Sequence, residues 1–278
     1  LSIFTPSLYI LSSKKAKYEL DFEGSGISID GREKGMRQLM AINLLKRLES
    51  SVNSFRLTLS RIKSFISDSI DAIDKYEMTH VNGTVETTNF NNYDYDFDNE
   101  DSDNDPFIGR KSKINLRDMD YVSWRRDLKA DLDIFDLLLL MLKDITPEHD
   151  SKLQQLVADL KNKFDHPING NNKKVIIFTA FSDTANYIYD QLAERIHKDC
   201  GLNVALITGD TDGKCTIPKL HLQFNDILTL FSPQSKDRDA QYANYNIDVL
   251  IGTDCISEGQ NLQDCDYLIN YDIHWNPV

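Results

Sequence analysis

The chain has 278 residues, 41% hydrophobic and 27% charged, a balance that suits a globular protein with one large or two modest cores. No apolar run approaches the roughly 18 residues of a membrane span, no secretory pattern opens the chain, and the four cysteines form no C-x-x-C pair; free thiols in a cytoplasmic setting, with no metal site and no membrane partner, are therefore expected. The net charge of −13 argues against phosphate binding only at first sight, because nine acidic residues and no Lys or Arg fall between Lys75 and Arg110, which leaves −4 on the remainder.

Residues 1–30, with Gly24 and Gly26 and short β-prone runs, read as a connector or small hairpin. From Arg32 to Tyr76 the spacing predicts one long helix, its apolar stripe running through Leu45, Leu48, Val52, Phe55, Leu59, Ile62, Ile66 and Ile73 and requiring a partner. Lys46, Arg47, Arg56, Arg61 and Lys63 flank that stripe, either as a solvated face or turned toward nucleic acid. The Asn- and Asp-rich segment at about 84–106 is too polar to bury anything and reads as a mobile acidic insertion. Asp94, Asp96 and Asp98 begin like a calcium loop, but Asn99 stands where the turn Gly belongs and Asp105 where the bidentate Glu belongs. Two further helices are expected at Leu116 to Lys143 and Pro147 to Phe164, the second capped by Thr146. Together, residues 31–166 read as a helical subdomain.

After Lys174 strand and helix alternate: strands at Val175–Thr179, Val204–Thr208, Asp248–Ile251 and Tyr267–Tyr271, and helices at Ser182–Asp199, around Pro218–Leu228 and at Lys236–Tyr245. Short β-branched strands separated by helices imply an α/β fold with a parallel sheet, and such sheets bind ligands at their carboxyl ends. The strand at Asp248 delivers Gly252, Thr253 and Asp254 to that end. There is no G-x-G-x-x-G after a strand and no G-x-S-x-G elbow, which weighs against dinucleotide and hydrolase chemistry.

Thr253 to Leu262 spell T-D-x-x-S-E-G-x-N-L, and Trp275-Asn276-Pro277 follow the next strand. This run resembles motif V, and the approach to motif VI, of helicase superfamily two, in the spelling of bacterial Swi/Snf-type translocases. KVIIFTAFSDTANYIYDQL (Lys174 to Leu192) resembles motif IV, and ALITGD (Ala205 to Asp210) resembles the strand and turn between them. LLKRLESSVNSFRLTLSRI is similar to the helical segment that follows the first motor lobe in such proteins. The resemblance implies a RecA-like lobe over residues 173–278, preceded by the helical subdomain. The phosphate loop G-x-x-x-x-G-K-[ST] and the D-E-x-H box of the first lobe are absent; Gly209, Gly213, Lys214 and Cys215 have the wrong spacing and lack the hydroxyl. The chain begins at Leu1 and stops before a Q-x-x-G-R-x-x-R segment, so a piece of a longer protein is expected.

The resemblance assigns Glu258, Gly259 and Asn261 to ATP, and Thr179, Thr208, Gly209, Thr253 and Asp254 to the nucleic-acid backbone, contacts that position without reading sequence. The first three also suit a plain polar loop between strands. Ser182 suits a helix N-cap as well as a phosphate contact, Trp275 a packing anchor, and His274 a satisfied polar residue. The implied cofactors are ATP and Mg²⁺, held mainly by a first RecA-like lobe outside this chain. The implied partner is nucleic acid, double-stranded DNA in particular. No catalytic residue is assigned here, and the piece alone is expected not to hydrolyse ATP. A non-enzymatic interaction module on the same scaffold is the alternative.

Overall fold

A computed structural model describes residues 1–20, 29–81, 89–92, 112–209, 213–218, 222–236, 238, 242–253, 256 and 261–273. They divide into two compact units, one drawn from Leu1–Lys46, Arg56–Asp98 and Asp105–Asp144, the other from Arg47–Phe55 and Ile145–Val278.

The first unit is built on helices α1 (Lys15–Leu20), α2 (Ile29–Ser50), α3 (Val52–Val81) and α4 (Tyr121–Leu142). In place of one long helix the chain breaks at Ser51, whose hydroxyl accepts the Ser54 amide at 3.0 Å and caps the start of α3. Leu59, Ile62, Ile66, Ile70 and Ile73 form the buried stripe of α3, while Leu45 and Leu48 are exposed. On α4, capped by Asp120 through the Ser123 amide, Trp124, Leu128, Phe135 and Leu142 are buried at fourfold and sevenfold spacing.

Residues 1–20 include packed structure. Two 3-10 turns (Ser2–Phe4, Pro6–Tyr9) bury Ile3 and Phe4, and the Ser7 amide and hydroxyl donate to the Glu33 carboxylate at 2.9 and 2.6 Å. Ile10 bridges Met119. Within the acidic segment, strand β1 (Asn89–Asn92) pairs antiparallel with β2 (Ser112–Asn115); the calcium-like residues Asp94 to Asp105 lie outside the described residues.

The second unit centres on a five-stranded sheet of β3 (Val175–Phe178), β4 (Val204–Ile207), β5 (Lys214–Cys215), β6 (Val249–Gly252) and β7 (Leu268–Asn270), in the order β5-β4-β6-β3-β7. All pairings are parallel except that of the edge strand β5. Successive strand residues serve opposite faces. Val175, Ile177, Val204, Leu206, Val249 and Ile251 pack under α5 (Ser151–Asp165) and α6 (Ser182–Cys200). Ile176, Ala205, Ile207 and Leu250 pack under α7 (Phe224–Phe231). Burial on both faces is why these strands read as continuous apolar runs.

Helix α5, expected within the helical subdomain, supplies Leu153, Leu156, Leu160 and Phe164 to the lobe's core. It begins at Ser151, because Asp150 accepts the Lys152 and Leu153 amides, and Pro147–His149 is a 3-10 turn. Gly201, at φ 68°, closes α6 in the left-handed conformation that favours glycine. Helix α7 starts later than the sequence suggests, at Phe224, where Gln223 and Asp226 form a reciprocal capping box. Of the helix expected at Lys236–Tyr245, residues 237 and 239–241 lie outside the described residues. Just before that segment, Asp264 accepts the Gln234 and Ser235 amides at 2.8 and 3.1 Å. No helix among the described residues is long and apolar enough to cross a membrane.

Candidate functional site

The carboxyl ends of β4, β6 and β3 are in register: Ile207 faces Gly252, and Gly252 faces Phe178. The next residue on each strand is a threonine, so Thr208, Thr253 and Thr179 form a row across three adjacent parallel strands. The Thr253 amide donates to Ile207 O at 3.4 Å, and the Thr179 amide donates to Gly252 O at 3.1 Å. Gly252 permits this closeness, since a Cβ there would meet the Ile207 carbonyl oxygen at 3.1 Å and the Ile256 Cδ1 at 2.5 Å. The row brings together three residues that the resemblance assigns to the nucleic-acid backbone. Its members nevertheless lie inside the edge: Thr179, Thr208 and Thr253 are 2, 3 and 1% exposed.

Gly209 follows Thr208 in an exposed turn, and Asn261 is exposed on the segment that leads back to β7. Asp254, Glu258 and Gly259 lie outside the described residues, as do Cys255, His274 and Trp275. Ser182 does not cap α6; Phe181 occupies the N-cap position without a side-chain bond, and the Ser182 hydroxyl is buried with no hydrogen-bond partner among the described residues. Thr179 replaces it as the organiser of this turn, accepting the Phe181 amide at 3.3 Å.

Sequence reasoning passed over the centre of this edge. Asp272, just after β7, has a side chain 6% exposed and gathers four donors from three segments. Its Oδ2 accepts the Thr179 hydroxyl at 2.6 Å, the Ala180 amide at 2.9 Å and the Ser50 hydroxyl at 2.9 Å. Its Oδ1 accepts Lys152 Nζ at 3.0 Å. The same ammonium donates to Glu49 O and Ser50 O at 2.8 and 2.9 Å, satisfying terminal carbonyls of α2, and lies 4.2 Å from the Tyr271 ring centroid. Burial pushes the Tyr271 hydroxyl up from its ordinary pKa. A buried carboxylate is tolerated only when paired and hydrogen-bonded, and Asp272 is both. The one local signal for it was an acidic residue immediately after an apolar strand.

The elbow between α2 and α3 lies against this edge. Arg47, one of the cations weighed for nucleic acid, instead donates to Asp183 Oδ2 at 2.8 Å and stacks 4.7 Å from the Phe181 ring centroid. The hydroxyls of Ser50 and Ser51 meet that of Thr184 at 2.6 and 2.9 Å. In the other unit, Arg56 donates to Leu142 O and Lys63 pairs with Asp136. Cys200, Cys215 and Cys265 are free thiols, and burial raises the pKa of the last two. No group of three or more His, Cys, Asp or Glu side chains among the described residues is placed to hold a metal ion.

Residues 151–278 match the family model of the helicase conserved C-terminal domain. That span begins at the first residue of α5, the helix whose apolar face completes the lobe. A curated relative from Bacillus subtilis (strain 168), named uncharacterized ATP-dependent helicase YqhH, is 30% identical over 148 residues, which are 53% of this chain and 20% of the relative. The chain thus spans about a fifth of the length of the curated relative it matches. No solved structure matches it significantly.

Proposed function

We propose, on the premise that residues 151–278 form the C-terminal RecA-like lobe of a superfamily-two helicase, that the chain is part of an ATP-dependent nucleic-acid translocase or helicase of the Swi/Snf type. The observation that carries this reading is the row of Thr208, Thr253 and Thr179 across three parallel strand ends, in a lobe of this family. Motors of this kind work by positioning and electrostatics, each lobe contributing groups in fixed geometry. The lobe's part is to complete the ATP cleft through Glu258, Gly259 and Asn261, and to grip a double-stranded DNA backbone through the strand ends with Gly209 and Asp254. ATP and Mg²⁺ would be held chiefly by a first RecA-like lobe.

ATP hydrolysis measured on the 278-residue chain and on a longer parent, each with and without duplex DNA, tests the proposal. The expected result is no turnover by the chain alone and DNA-stimulated turnover by the parent. Equal turnover by the chain alone overturns it. A parent without ATPase activity favours a protein-interaction module on the same scaffold, a reading supported by Ile134, Leu137, Leu140 and Met141 of α4, which are 53–66% exposed.

A further inference from the structure

We propose that Asp272 is a positioning residue that locks the α2–α3 elbow onto the carboxyl edge of the lobe and thereby withholds Thr179 from phosphate until the elbow is released. The inference rests on the nucleic-acid reading of that edge and adds its regulation. Thr179 has a single hydroxyl proton, and at 2.6 Å from Asp272 Oδ2 that proton is committed to the carboxylate. A phosphate drawn to the same hydroxyl would find no donor there, and the nearby Lys152 ammonium is itself committed to Asp272 and to the elbow carbonyls.

The elbow supplies what makes this arrangement hold. Ser50 donates to the same carboxylate oxygen as Thr179. Lys152 bridges Asp272 to the carbonyls of Glu49 and Ser50. Arg47 fastens the elbow from its other side, through Asp183 and Phe181. Departure of the elbow would remove Ser50 from the carboxylate and leave Lys152 with one of these three partners. Lys152, freed of the two carbonyls, would then pair with Asp272 alone and draw the carboxylate off Thr179, so that the hydroxyl and the neighbouring ammonium together accept an anion.

The test is binding of a labelled DNA duplex to the 278-residue chain by fluorescence anisotropy, with circular dichroism and hydrogen exchange on every variant. Asp272→Asn keeps the shape and an acceptor oxygen but removes the charge, and should tighten binding about tenfold, or ~1.4 kcal/mol. Adding Thr179→Val should erase that gain. Arg47→Gln frees the elbow while leaving Asp272 intact; it also removes a positive charge, so a simple charge effect predicts weaker binding and the lock predicts tighter. Both single variants should speed exchange of the Ala180 amide. Should Asp272→Asn fail to fold, Arg47→Gln decides. Binding by the wild-type chain that neither variant tightens overturns the lock alone, as does a gain in Asp272→Asn that survives Thr179→Val. Absence of binding by every form overturns the lock together with the nucleic-acid reading of this edge.

Discussion

Side-chain hydrogen bonds to half-buried acids recur in the lobe, and Asp266 shows their energetic consequence. Burial alone would raise the Asp266 pKa, but Lys163 Nζ at 2.6 Å and Asn169 Nδ2 at 3.0 Å hold it below the ordinary carboxylate value. Lys163 is itself buried, its side chain 1% exposed, so neither partner is readily replaced by water. A carboxylate with a depressed folded pKa stabilises the protein above its unfolded pKa, and that stability is lost as pH falls through the folded value. Asp264 is depressed in the same direction, against burial, by the Ser235 hydroxyl and the Gln234 and Ser235 amides. Urea unfolding followed from neutral pH down into the acid range should therefore show stability falling below the usual carboxylate range. In Asp266→Asn the fall should be shallower, and an unchanged slope would remove Asp266 from the acid response.

Among elements, the α2–α3 junction is the most consequential. An apolar spacing that runs smoothly from Leu45 to Ile73 predicts one helix, but two adjacent serines offer the backbone a competing hydrogen bond. Ser51 takes it, capping α3 through the Ser54 amide. The apolar residues upstream then leave the buried face, as the exposure of Leu45 records. Ser51→Ala should cost about 1 kcal/mol of stability, the usual value of a lost N-cap. Chemical denaturation of the two forms measures it; a variant of unchanged midpoint would mean that tertiary packing fixes the break unaided. The same competition explains α5, where Asp150 starts the helix although Thr146 and Pro147 also spell a start signal.

For the whole molecule, the division into two compact units has a thermodynamic corollary. Each has its own buried apolar set, with Ile62, Ile66 and Ile73 in one and Leu206, Ile251 and Leu250 in the other. Chains with two cores depart from a single two-state transition. Calorimetry should resolve two unfolding events, with Ile66→Ala lowering one and Leu206→Ala the other. Large-to-small core changes of this kind cost about 2–5 kcal/mol. One transition shifted equally by both variants would show that the units unfold together.

The sequence by itself determined the lobe: strands Val175–Phe178, Val204–Ile207, Val249–Gly252 and Leu268–Asn270 fall within a residue or two of where alternation put them, and the family resemblance grouped the three threonines that follow three of them. These features are written locally, in runs buried on both faces and in residues that follow each strand directly. Only the tertiary structure decided that Thr179 is covered, that Arg47 is spent on Asp183, and that α5 belongs to the lobe. Ser50 and Asp272 are 222 residues apart in sequence, and a hydrogen bond between side chains so distant leaves no periodicity or spacing to read. Burial of a polar group follows from which segments the fold brings together, and that follows from how all the apolar faces pack at once.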